Sequence, residues 1–170
     1  LYACTTDVYA KTIANIQNTL WAWSTSFDVQ LRAPSRGCDL VKWFYREGNE
    51  RADAETWKAR MGQCHSTMDP RIYTMSKYTI RGIRGYFDGG RSSHGVGCGW
   101  VLDLFVQPPS LPPYLHSPSQ PMSYWMCDAA SEAFAAPPSC TITQAELLAS
   151  KRLVEGVVQV LLSLGCASPH

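Results

Sequence analysis

Four acidic residues stand where the chain would leave a carboxylate at the end of an element: Asp7, Asp53, Asp88 and Glu146. Carboxylate oxygens are the ligands that hard divalent cations take up. Several carboxylates gathered without a cation would repel one another and raise each other's pKa. Acids that converge therefore point to metal chemistry, and acids that scatter do not. Taken singly, each has a local explanation. Asp7 can cap a helix that starts at Val8, and Asp53 can complement the dipole in the first turn of another. Asp88-Gly89 can be turn chemistry, while Thr143-Gln144-Ala145-Glu146 spells a capping box.

The elements that would position these acids follow from hydrophobic spacing. Leu1 to Ala3 is a short apolar run, and Val8, Ile13, Ile16 and Leu20 recur at helical spacing, so the start reads as strand, turn, helix. Leu40 to Tyr45 is a β-rich run, after which Asn49 can cap a helix from Glu50 to about Met61. Residues 63–77 are polar and rich in breakers and read as a linker. Ile80 to Phe87 and Cys98 to Phe105 read as a hairpin joined through Asp88-Gly89-Gly90 and the Gly95, Gly97, Gly99 series. Eight of the 11 prolines lie between Gln107 and Pro138, so residues 107–122 read as an insertion, with a third strand at Ser123 to Cys127. Thr141 to Gly165 is the strongest helix, stopped by Gly165. About five strands and three or four helices result, in an α/β or α+β class.

Composition narrows the function classes. The chain has 170 residues, 45% hydrophobic and 17% charged, which suits a folded domain with a real core. Fifteen Lys and Arg against fourteen Asp and Glu give a net charge of +1, so any contact with an anionic polymer must be local. Seven cysteines, an odd number with no C-x-x-C pair, suggest neither a zinc module nor a disulfide framework. Reduced thiols and an intracellular site, cytoplasmic or nuclear, are expected. No apolar run reaches the roughly 18 to 20 residues of a membrane span, so no membrane partner is expected. Residue 1 is Leu, which suggests a piece excised from a longer or rearranged chain.

Jointly, the four acids sit in segments that resemble the ribonuclease H family. Tyr86-Phe87-Asp88-Gly89-Gly90 followed by Gly97-Cys98-Gly99-Trp100-Val101-Leu102 is similar to its first strand, turn and second strand. Thr141 to Ala149 resembles the helix that carries its Glu, and Leu1 to Asp7 its fourth strand. Trp43 to Asp53, with Arg46, Asn49 and Ala52, resembles the fifth strand and the last acid. The order differs: the pieces that come last in the family come first here, and joining His170 to Leu1 restores the family order. The resemblance therefore implies an α/β, RNase H-like five-stranded mixed sheet flanked by helices, circularly permuted, with the proline-rich insertion. Residues 1–62 would run from the fourth strand to the last helix, and residues 78–170 from the first strand to the Glu helix. Two half domains exchanged between chains are the competing account, for which residues 1 and 170 need not lie together.

The resemblance implies an endonuclease that hydrolyses the RNA strand of RNA/DNA hybrids with two Mg²⁺ ions, Mn²⁺ being an alternative. Asp88 would bridge both ions, Glu146 and Asp7 would hold the one near the leaving group, and Asp53 the one that activates water. A larger polyprotein or a reverse transcriptase is the expected source. A non-catalytic nucleic-acid-binding or scaffolding domain, and a nuclease of DNA or single strands, are the competing functions. Recognition of the RNA 2′-hydroxyl would fall to Gly90, Arg91, Thr143 and Gln144. The loop Tyr45 to Asn49 is short and lacks the His that many members place there, a departure that bears on product release. Trp21 and Trp23 with Arg32 and Arg36 could form a platform for a DNA strand or could simply pack. Lys42, Arg46 and Arg51 could meet phosphates or be solvated surface, and His94, in the hairpin, could approach the site or be a solvated turn residue.

Overall fold

The computed structural model describes residues 14–16, 18–19, 48–109 and 122–165. Four strands form an open, fully antiparallel sheet: β1 (His65–Met68), β2 (Thr79–Ser92), β3 (Gly95–Gln107) and β4 (Tyr124–Ala136), in the order β1-β4-β3-β2. Two labelled helices accompany it, α1 (Glu50–Arg60) and α2 (Ile142–Ser163), and residues 14–16 and 18–19 are also helical. The class is α/β. The fourth and fifth strands expected at Leu1 to Asp7 and Leu40 to Tyr45 lie outside the described residues.

The hairpin fixes the two faces. Phe87 pairs with Trp100 and Asp88 with Gly99, so alternation puts Gly85, Phe87, Gly89, Cys98, Trp100 and Leu102 on one face. Tyr86, Asp88, Gly90, Gly97, Gly99 and Val101 then share the other. The first face takes α2, whose Ala145, Ala149, Leu153, Val157 and Val160 recur at helical spacing and are buried. The second takes α1, whose buried residues are small, Ala52, Thr56 and Ala59, beside Glu55. Small residues meet glycines here: a Cβ on Gly99 would sit 2.5 Å from the Thr56 backbone nitrogen. Coverage on both sides explains why β3 is buried almost throughout rather than alternating.

Four expectations change. The hairpin turn is not at Asp88-Gly89-Gly90, which lie inside β2; the chain reverses between Ser92 and Gly95, where Gly95 has φ of +142°. Residues 63–77 are not a bare linker. They hold β1, which pairs Ser66 with Glu132, and a 3₁₀ helix at Pro70–Thr74 whose entry Asp69 caps by accepting from the Arg71 amide. Of those four strand residues only Met68 is apolar, so no alternation announces them; pairing with the β4 edge makes the strand. The third strand runs through to Ala136 because its Ala-rich half fits between α1 and α2, a tertiary demand that overrides weak β propensity. The capping box on α2 is formed by Thr141 and Gln144, two residues earlier than Thr143 to Glu146.

Where β3 and β4 change register between Leu102 and Leu104, Asp103 turns inward and is 4% exposed. Its carboxylate accepts from the Asp128 amide at 3.0 Å, which holds Asp128 at φ of 53°. Arg51 of α1 closes the bulge with bonds of 2.8 and 2.7 Å to Asp103 and 2.9 Å to Asp128. Burial alone would raise the Asp103 carboxyl, but the hydrogen bonds from Arg51 and Asp128 and the Arg51 charge outweigh it and bring it below the usual range. Arg51 is thereby committed to the fold. Among the described residues Cys64, Cys98, Cys127 and Cys140 are free thiols, and no helix is long and apolar enough to cross a membrane.

Candidate active site at the carboxylates

Asp88 sits on the α1 face of β2, half-buried, with its backbone carbonyl accepting from Thr56 Oγ1 at 3.0 Å. One residue before, the Phe87 carbonyl accepts from Asn49 Nδ2 at 3.0 Å. Asn49 stands at the N-cap of α1, yet its side chain makes no capping bond; it ties the helix to β2 instead. Asn49, Asp53, Thr56 and Arg60 are spaced four, three and four residues apart, so they form one stripe down α1. Thr56 and Arg60 both lie against Gly90. The stripe therefore carries Asp53 alongside Asp88.

Glu146 arrives from the other face. Gly89, next to Asp88, lies so close to the first turn of α2 that a Cβ there would be 2.3 Å from the Glu146 amide nitrogen and 2.4 Å from the Ala145 carbonyl carbon. The Ala145 carbonyl also accepts from Cys98 Sγ at 3.3 Å. Glu146 is thus pinned beside Asp88 by a backbone contact that only glycine permits.

The charges report the gathering. The Asp88 carboxyl lies above its ordinary range, first because it is desolvated and then because Asp53 is negative beside it; the Thr56 hydroxyl, the Gly89 amide and Arg60 oppose the rise. Glu146 is raised by desolvation and then by Asp88, an effect that solvent screens because the residue stays exposed. Asp53, Asp88 and Glu146, from three separate elements, thus share one electrostatic neighbourhood. The donor set is all carboxylate oxygen, which suits Mg²⁺ or Mn²⁺. Among the described residues no group of three or more His, Cys, Asp or Glu is drawn tightly enough to hold a metal ion. Asp7, the fourth acid of the expected set, lies outside the described residues.

The other expected contacts divide. Gly90 lies beneath Thr56 and Arg60, while Arg91 is exposed beside it near the hairpin end. Thr143 is exposed, whereas the Gln144 side-chain oxygen is taken by the Thr141 amide in the capping box. His94 is exposed in the hairpin turn, where its amide donates to Ser92 Oγ. Trp21, Trp23, Arg32, Arg36, Lys42 and Arg46 lie outside the described residues. Thr56 and Arg60 were not anticipated, although their spacing from Asp53 was a readable signal. A cavity of about 590 Å³ opens away from the acids, on the α2 face, between Thr67, Trp100 and Gln159. Its wall is a satisfied network in which Glu132 accepts from Trp100 Nε1 at 2.7 Å and pairs with Arg152.

Compared with known proteins, the chain matches no family model, no protein of curated function and no solved structure.

Proposed function

We propose that the protein is a metal-dependent endonuclease that hydrolyses the RNA strand of RNA/DNA hybrids. The observation that carries this reading is the approach of Asp53, Asp88 and Glu146 from α1, β2 and α2, close enough that Asp53 raises Asp88 and Asp88 raises Glu146. The Thr56 hydroxyl, the Gly89 amide and Arg60 offset the rise at Asp88 only in part, so a cation is the natural partner. The permuted RNase H-like arrangement, with Asp7 as the fourth acid, belongs to the same proposal and rests on the sequence resemblance.

In this reading Asp88, Glu146, Asp53 and Asp7 hold Mg²⁺. When bound, the metal would neutralise charge on the phosphodiester and lower the pKa of an attacking water. The chain's own work is positional: Gly89 sets the separation of Asp88 and Glu146, and the Asn49 and Thr56 bonds hold α1 against β2. Backbone groups at Gly90 and Arg91, and the exposed Thr143 hydroxyl, would be the groups to meet a 2′-hydroxyl.

The test is cleavage of labelled RNA/DNA hybrid, double-stranded RNA and double-stranded DNA, with Mg²⁺ and with chelator. Mg²⁺-dependent cutting of the RNA strand in the hybrid alone is expected. Binding without cutting would support the scaffolding function instead, and preferred cutting of DNA would assign a different nuclease class.

A further inference from the structure

Arg60 ends the α1 stripe in an unusual state. It makes no hydrogen bond and no ion pair among the described residues, and its Nε is buried without a partner. A buried donor left unpaired is costly, and Arg cannot shed its charge to escape the cost. Among the described residues Arg51, Arg71 and Arg152 sit directly on carboxylates, Asp103, Asp69 and Glu132 respectively. Arg60 instead lays its stem over Gly97, where a Cβ would be 2.8 Å from Cγ. Its guanidinium lies over Gly90, where a Cβ would meet Nη1 at 3.4 Å. Both glycines leave room for that posture. Its field reaches Asp88 and opposes the rise of that carboxyl.

We infer that Arg60 is a phosphate-binding residue, taking a backbone phosphate of the nucleic-acid strand to one side of the phosphate at the acids. This deepens the proposed function and rests on it. Seven helical residues separate Asp53 from Arg60, about 10 Å along α1 at ~1.5 Å each. A strand rises ~3.4 Å per phosphate along its axis, so the contact falls about three nucleotides away. A planar guanidinium with donors to spare matches a phosphate's oxygens, and the terminal Nη groups, with Nη1 over Gly90, are the donors that would take them. Placed there, the cation also offsets the repulsion that Asp53, Asp88 and Glu146 would exert on an approaching anionic strand.

The experiment measures hybrid binding in Ca²⁺, to suppress turnover, over a range of NaCl concentrations. Arg60→Gln should weaken binding about tenfold at low salt and flatten the salt dependence by about one counterion. Arg60→Lys should recover part of the affinity. A single neutral methylphosphonate, walked along the strand, should at one position weaken the wild type equally and leave Arg60→Gln unaffected. Thermal melts with inorganic phosphate give a second readout: stabilisation of the wild type that Arg60→Gln lacks. If the wild type cuts hybrid while Arg60→Gln binds with the same affinity and salt slope, the phosphate role falls and the nuclease reading stands. If the wild type binds with the Arg60 signature but never cuts, the nuclease reading falls and the phosphate site stands. Failure of the wild type to bind any hybrid overturns both.

Discussion

Two carboxylates, Asp103 and Asp88, show how one residue type serves opposite ends. Asp103 is buried and fully satisfied by Arg51 and the Asp128 amide, so its charge contributes to the fold. Arg51→Ala leaves that carboxylate without its cation. A loss of about 2 kcal/mol in urea unfolding is expected, toward the low end for a broken pair because the Arg51 side chain is 40% exposed. Asp88 is the reverse case, raised by desolvation and by Asp53. Asp88→Asn removes a disfavoured charge while keeping the shape. The variant should keep or slightly raise the wild-type melting temperature and should lose hybrid cleavage in Mg²⁺. Single-turnover cleavage near the wild-type rate would take Asp88 out of the mechanism.

At the scale of elements, the site depends on how closely two helices approach one strand pair. Gly97 and Gly99 let α1 settle on β3, and Gly89 lets the first turn of α2 meet β2. Gly89→Ala would push a methyl group into the Ala145–Glu146 peptide, and backbone cannot swing aside as a side-chain tip can. The expected cost is about 1–3 kcal/mol from overpacking, with cleavage falling further than stability because Glu146 moves relative to Asp88. A thermal melt and a cleavage assay on the same sample check both. A variant that melts at the wild-type temperature and cuts at the wild-type rate would show that the contact does not position Glu146.

Across the whole molecule, the acids make stability depend on pH in two directions. Asp103 lies below its ordinary value, so its contribution is present above about pH 3.8 and fades as pH falls through the lower folded value. Asp88 and Glu146 lie above theirs, from ordinary values of 3.8 and 4.5. Their contribution is complete at lower pH and is lost as pH rises through the raised folded values. A cation that neutralises the pair should restore what ionisation removes. Melting curves from about pH 4 to 8 should therefore show a larger rise in melting temperature on adding Mg²⁺ at the neutral end than at the acid end. The rise should be absent in Asp88→Asn. An equal rise at both ends, or one that survives the substitution, would argue against a cation at these acids.

How much of this was legible in the chain depends on whether a residue's role is local. Cap, composition and stop signals located α1 and α2 to within two residues at each end: Asn49 before Glu50 for α1, and an Ala-, Leu- and Val-rich run closed by Gly165 for α2. The hairpin strands were legible as β-rich runs, and Asp53, Asp88 and Glu146 stood out as acids at the ends of elements. The hairpin turn was misplaced because a glycine is written the same way whether it serves a tight turn, as Gly95 does, or a close backbone contact, as Gly89 does. Also missed was β1, a four-residue run with Met68 as its one apolar member, which becomes a strand only when β4 offers its edge. The commitment of Arg51 to Asp103, and the unpaired Nε of Arg60 among the described residues, were likewise invisible, since both depend on residues far away in the chain. Sequence by itself determined which residues could do chemistry and which elements would carry them. Tertiary structure decided which of them meet, because close approach and charge coupling depend on distance through space, and that distance is set by glycines packed against helices.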